Sequence, residues 1–191
     1  MIRILATLLI VMMPLMGWAA GGGQNGFHLQ GDLYYSATSS DDGTTKSTSD
    51  EMDIIPTVGY VFADWVFVGL TYDMLKGNST SGSTTTTVTY TDYGPTLGYR
   101  GDNFFALFTY LFSASREQVA TGSETRVLTG TGMGFKFGYG FDVASGFQIG
   151  PELLYRSYEF TKEKVGGVET TLAASRKITV LQPFLFLSYK F

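Results

Sequence analysis

The chain is predicted to be all-β, one antiparallel sheet of eight strands closed into an up-and-down barrel. Three features of the sequence lead there. Large apolar residues alternate with small or polar ones at a spacing of two in a series of separate stretches. A strand sorts such a pattern onto opposite faces, whereas a helix scatters it. The segments joining those stretches alternate between long polar runs and tight turns. The composition suits neither a helical bundle nor a disordered chain, with 15% aromatic residues, only 16% charged residues and 24 glycines.

The stretch from Gly130 to Phe141 carries the pattern most plainly. One face holds Gly130, Gly132, Gly134, Lys136, Gly138 and Gly140; the other holds Thr131, Met133, Phe135, Phe137, Tyr139 and Phe141. The first stretch, 25–37, sets Phe27, Leu29, Leu33 and Tyr35 against His28, Gln30, Asp32 and Ser36. The second, 52–62, sets Ile54, Val58 and Tyr60 against Asp53, Thr57 and Gly59, and the third, 65–75, sets Val66, Val68, Leu70 and Tyr72 against Gly69, Thr71 and Asp73. The fourth, 88–100, sets Tyr93, Leu97 and Tyr99 against Asp92, Gly94, Thr96 and Arg100. The fifth, 103–115, is apolar on both faces, so its register stays open. The seventh, 147–160, sets Ile149, Leu153 and Tyr155 against Gln148, Glu152 and Arg156. The last, 178–191, sets Leu185, Leu187, Tyr189 and Phe191 against Gln182, Ser188 and Lys190. Segments 39–50, 76–87, 115–126 and 161–177 read as long polar loops, and Ala63-Asp64, Gly101-Asp102 and Asp142 to Gly146 as short turns. Long connections at one end and short ones at the other describe an up-and-down barrel.

The bulky faces decide which way the barrel is turned. Their side chains cannot all fit inside eight closed strands, whereas lipid accommodates them outside. The reading is therefore a transmembrane β-barrel with short periplasmic turns and long polar outer loops, in preference to a soluble, lipocalin-like barrel. Tyr60, Phe62, Tyr99, Tyr139, Phe141 and Tyr189 fall at strand ends, as an interfacial belt requires. After the first twenty residues no run of eighteen apolar residues exists to form a membrane-spanning helix. Pro56, Pro95 and Pro151 recur in a Pro-x-aliphatic-x-Tyr pattern or a close variant of it, on the outward face. Proline cannot donate to a ladder, so these positions are expected at irregularities such as bulges.

Residues 1–19 read as a signal peptide: Arg3, an apolar run from Ile4 to Met16, then small residues around Gly17 and Ala19. The apolar run is too short to cross a membrane as a helix. The domain expectation is thus signal peptide 1–19 and barrel 20–191, exported to the cell envelope. Cysteine is absent, which excludes disulfides, a thiol nucleophile, Cys-ligated zinc and a Cys-linked lipid anchor. With a net charge of -4 and no basic cluster, a grip on nucleic acid is not expected.

The sequence finishes Leu185, Leu187, Tyr189, Phe191 at alternate positions. This resembles the terminal strand of bacterial outer-membrane proteins. With the signal segment and the eight alternating stretches, the chain resembles the small OmpX/OmpA-type outer-membrane β-barrel family. The resemblance implies a Gram-negative outer-membrane location among lipid and lipopolysaccharide, and a monomer. It also implies that Phe191 and Tyr189 form an assembly signal read by the barrel-assembly machinery. It says little about activity, because one fold hosts many functions.

The candidate site is the interior. Asp32, Asp53, Asp73, Asp92, Arg100, Lys136, Glu152 and Arg156, and Lys190 with them, fall on the inward face, and lipid would penalise them elsewhere. They read as an internal charge network; the alternative is an ion path. Counting from a turn centred near Ala144 puts Lys136 opposite Glu152. Trp65, Phe67, Phe184 and Phe186 are expected inward, with room beside them for an apolar cavity next to the glycines of the sixth strand. His28 is the only histidine and sits near the periplasmic end without a His-x-Ser pair, unlike lipid A-modifying barrel enzymes. No metal, nucleotide or other cofactor motif is present. The chain is therefore expected to be a non-enzymatic envelope protein acting structurally or through its outer loops. The alternatives are a narrow, porin-like channel, an apolar-ligand conduit, and a lipid-modifying enzyme.

Overall fold

The computed structural model describes residues 25–41 and 46–191; the expected signal peptide lies outside the described residues. The described secondary structure is β throughout. Nine strands run in chain order: β1 (Gly26–Asp41), β2 (Lys46–Phe62), β3 (Val66–Ser81), β4 (Thr84–Arg100), β5 (Phe104–Ala120), β6 (Arg126–Tyr139), β7 (Phe141–Ala144), β8 (Phe147–Val165) and β9 (Val168–Lys190). The sheet order is β6-β5-β4-β3-β2-β1-β9-β8-β7, all antiparallel, and β6 pairs with β8 to close the ring.

The strand count is nine where eight were expected, because the sixth stave is broken. β6 stops at Tyr139, its pairing with β8 ending at Gly138–Glu152 next to Pro151, and the stave resumes as β7 along the foot of β8. Gly140, between them, keeps its bond on the other side by donating its N–H to Asn103 O at 2.6 Å.

Each of the four described prolines stands beside a comparable gap. Pairing of β2 with β3 skips Ile55 and Pro56, that of β4 with β5 shifts register between Tyr93 and Thr96, and that of β9 with β1 reaches no further back than Leu185, two residues after Pro183. A residue without an N–H cannot complete a rung on one of its two sides.

The short turns match expectation. The β2–β3 turn holds Ala63 at φ 49° and Asp64 at φ 67°, the left-handed geometry of a tight hairpin, closed by Trp65 N–H donating to Phe62 O at 3.1 Å. Trp65, expected inward, is instead 52% exposed; the turn swings it outward to stack on Tyr99 at the rim, with ring centroids 6.3 Å apart.

The long connections differ from expectation. They are not loops over most of their length but extensions of the strands themselves. β3 and β4 stay paired up to Ser81 and Thr84, and β8 and β9 up to Val165 and Val168. Both faces meet water there, so a Ser/Thr run in the β3–β4 hairpin and Lys, Glu and Thr in the β8–β9 hairpin are at home on either side, and β-branched threonines suit a pleated surface. Hydroxyls pair across the strands as well, Thr80 with Thr85 at 3.0 Å and Ser47 with Ser81 at 3.2 Å.

Outside, the apolar wall carries aromatic residues at both ends. Near the short turns they touch in sequence, Phe27 to Tyr60 at 5.0 Å, Tyr60 to Phe62 at 4.6 Å and Tyr189 to Phe191 at 4.7 Å. The other end bears Tyr35, Tyr72, Tyr93, Tyr110 and Phe112, all exposed. Exposed leucines and valines fill the band between, among them Leu33, Val58, Leu70, Leu97, Leu153 and Leu187. That exterior is built for lipid.

Candidate functional site

Alternation puts every even-numbered residue of β1 and odd-numbered residue of β2 and β3 on the inside, and the polar residues follow. Asp32, Asp53, Asp73, Asp92, Arg100, Lys136, Glu152 and Arg156 are all buried in the interior, none more than 3% exposed. The barrel brings them together as two networks.

The first lies toward the short-turn end. Gln30 is its hub: its amide donates to Asp32 Oδ1 at 2.6 Å and Glu152 Oε2 at 2.8 Å, and its carbonyl accepts from Arg100 Nη1 at 2.6 Å. Lys136 Nζ forms an ion pair with Asp32 and donates to Thr57 Oγ1 at 3.2 Å. From Thr57 a line of hydroxyls crosses four strands, Thr57 to Thr71 at 3.0 Å, Thr71 to Thr96 at 2.7 Å and Thr96 to Thr109 at 2.9 Å. Neighbouring strands place these four side by side on the same face, so each hydroxyl can donate to the next.

The second network lies nearer the hairpins and centres on Arg156. Its two Nη atoms form ion pairs with Asp53 and Asp73, Nη2 also donates to Gln182 Oε1 at 2.9 Å, and Tyr158 OH donates to Asp92 Oδ2 at 2.8 Å. Three carboxyl groups thus share one guanidinium and one phenol. A planar fork suits this arrangement, because it addresses two carboxylates at once.

Lys136 does not face Glu152 across the strands. It stands opposite Leu154, and Gly138 stands opposite Glu152. The turn is centred one residue later than the sequence indicated, because Gly146 takes the left-handed position at φ 75°. A shift of one at the centre slides the partner by two, which preserves the face and changes the neighbour. The partner of Lys136 is Asp32 on β1, reached across the lumen, a contact no strand-local count could find.

The apolar cavity expected beside the sixth-strand glycines is filled. Phe105 presses its ring onto Gly138, where a Cβ would overlap it, and meets Phe186 edge-on with centroids 5.0 Å apart. Phe67 occupies the space over Gly59 and Gly69 in the same way. Val61, Phe67, Phe105, Leu107 and Phe186 form a continuous buried layer. Inward Phe67, Phe184 and Phe186 are where the sequence put them. His28 is buried at the short-turn end and lines, with Lys190, Asp102 and Gln148, a recess of about 620 Å³. Among the described residues no three His, Asp or Glu side chains are arranged to hold a metal ion.

The pairing of Lys136 with Asp32 has an expected consequence. Lys136→Met strands a buried carboxylate and is expected to destabilise the barrel by about 3 kcal/mol. Adding Asp32→Leu should return much of the loss, while adding Glu152→Leu instead should not. A urea double-mutant cycle in lipid vesicles checks this, and coupling near zero between positions 32 and 136 would refute the pairing.

No protein-family model matches the chain, and no curated protein matches it. Solved structures of similar shape exist. The outer-membrane protein AlkL, determined in lipid bilayers, is 12% identical, with 91% of this chain and 93% of that one aligned at a TM-score of 0.48. Neisserial surface protein A is 14% identical, over 86% of this chain and 97% of that one, at 0.44. The outer-membrane protein OprG from Pseudomonas aeruginosa is 14% identical, over 89% and 98%, also at 0.44.

Proposed function

We propose that the chain is an integral β-barrel of a bacterial outer membrane, with no enzymatic activity and no cofactor, whose lumen is a filled core and whose role is exercised at the outer surface by its hairpins. One observation carries this reading. From the short-turn end upward the interior passes through the Phe67–Phe105–Phe186 layer, the Gln30 network, the threonine line and the Arg156 network, all of buried side chains, and the space at the hairpin end stops on Arg156 and Tyr158. An eight-stave barrel has room for its own side chains and little more. Ions would have to cross both an apolar aromatic layer and two networks of paired charges.

On this reading the partners are outer-membrane lipid and lipopolysaccharide around the wall and the barrel-assembly machinery acting on Tyr189 and Phe191, with the protein a monomer. In planar bilayers the purified barrel should give no steady single-channel steps at moderate voltage. Reproducible steps of one size would overturn the closed-lumen reading in favour of a narrow channel.

A further inference from the structure

The ring of strands is unequally sealed. β1 and β2 share sixteen residue pairs, and so do β3 and β4, but β1 and β9 share six, from His28–Lys190 to Leu33–Leu185. Beyond those six, residues 34–41 of β1 pair only with β2, and β9 pairs only with β8.

Pro183 explains where the seam stops. Phe191 N–H donates to Phe27 O on β1 at 2.9 Å, and Lys190 N–H donates the other way, to Gly146 O at 2.8 Å. Amides in an antiparallel strand point alternately to the two neighbours. The odd-numbered residues of β9 therefore address β1, and after Leu185 the next is Pro183, which has no N–H. The first missing rung is chemically unavailable.

Side chains close the seam in its place. The Tyr34 ring lies against Phe184 with centroids 5.5 Å apart, and Gln182 Nε2 reaches past β1 to Glu51 Oε1 at 2.7 Å. Behind this closure is the apolar cluster of Ile55, Leu154 and Phe184, set among otherwise polar surroundings. Above it a cavity of about 310 Å³ opens at the hairpin end, with Leu75, Val88 and Val180 on its apolar side; its charged lining is Asp50, Glu51 and, at its floor, Arg156, whose guanidinium is already held by Asp53 and Asp73. In front of it, facing lipid, stand Leu33, Leu181 and Leu185, each more than half exposed. The seam opens level with the outer aromatic residues, since its last rung is at Leu33 and Tyr35 stands two residues beyond it.

We infer that the outer half of the β1–β9 seam is a side entrance through which a single-chain alkylammonium passes from the outer leaflet into this cavity. The chain would lie against Leu75, Val88 and Val180, and the ammonium would meet Asp50 and Glu51, whose charge selects a cationic head over an anionic one. Entry costs only the Tyr34–Phe184 and Gln182–Glu51 contacts and no backbone rung. The inference rests on the barrel being embedded in a membrane and leaves the closed lumen below untouched.

The test uses the barrel in dimyristoylphosphatidylcholine nanodiscs, with Trp18→Phe, Trp65→Phe and Val88→Trp leaving one reporting tryptophan, in the cavity. The probe is 12-bromododecylamine, whose bromine quenches indole. Saturable quenching is expected, with 12-bromododecanoic acid weaker by about tenfold or more, a difference of roughly 1.4 kcal/mol. Continued past its last rung, the seam register would set Thr38 against Val180, and the sequence contains no cysteine, so Thr38→Cys with Val180→Cys gives the only disulfide available to hold the entrance shut. Oxidation should abolish the quenching and reduction restore it. Pro183→Thr, which supplies the missing N–H, should slow probe entry and protect the backbone amides of residues 177–183 from exchange. Quenching that is absent, unsaturable, equal for amine and acid, or indifferent to both the disulfide and Pro183→Thr overturns the entrance. Heat-modifiable migration on gels, read on every sample, reports separately whether the membrane barrel itself has formed.

Discussion

Replacing Arg156 with Met is expected to be the most damaging single substitution in the barrel. The guanidinium is 2% exposed and stands between Asp53 and Asp73, themselves 0% and 2% exposed. Met fills the volume and removes the charge, so two carboxyl groups lose their only cationic partner at once. Breaking one buried pair by removing one member costs about 3–5 kcal/mol. With two partners stranded, the loss should lie at or above the top of that range. Arg156→Lys should recover only part, because an ammonium is a point charge and cannot fork to both acids while still donating to Gln182. Arg156→Met combined with Asp53→Leu and Asp73→Met should regain most of the stability, since replacing a complete ionic group with apolar side chains is often neutral or better. Urea midpoints of the four proteins, folded into the same lipid vesicles, check the order. A triple variant no more stable than Arg156→Met would show that the carboxyls are not what the arginine holds.

Phe105→Ala is the second large loss, and its cause is shape. The ring is 2% exposed, seated on Gly138, edge-on to Phe186, with the Arg100 guanidinium 5.0 Å from its centre. Removing it opens a cavity in a closed ring of strands that cannot collapse inward, so the cost should be about 4 kcal/mol. The partner substitution makes the argument specific. Gly138→Ala in the wild-type barrel should cost about 1–3 kcal/mol by driving a Cβ into the ring. In the Phe105→Ala background the same change should cost little or help, because the ring it collides with has gone. Equal costs in both backgrounds would mean that the glycine is there for the backbone and not for the ring.

Much of this was legible in the sequence, and the limits have physical causes. The membrane-facing stretches were readable because lipid and lumen demand opposite chemistry, so Phe135 and Lys136 can be assigned to faces from spacing alone. For the same reason all eight interior charges could be named. Their partners could not. Lys136 meets Asp32 across the lumen, and the only route to that pair is the closed ring. Strand ends near the hairpins were invisible, since Ser79 to Thr87 are polar on both faces and leave no alternation to read. The seam was hidden as well. Pro183 stands in the sequence like the other prolines, and only the direction of the Phe191 amide shows which rung it removes.

The Ser/Thr hairpins carry one more consequence. β3 and β4 stay in register without a break through sixteen pairs, from Val66–Tyr99 up to Ser81–Thr84, and close over Gly82 and Ser83. A two-residue turn of this kind fits only where the last pair has the right hydrogen-bonding type, and that type alternates along the ladder. Heritable changes in hairpin height are therefore quantised. A gain or loss that keeps the same turn must take two residues from each strand, four in all, and moves the tip by about 7 Å along the strand. Any such step leaves every side chain below it on its original face. The part of the protein that meets the outside can vary in reach, in fixed increments, while the part that meets lipid and the buried charges inherits none of the change.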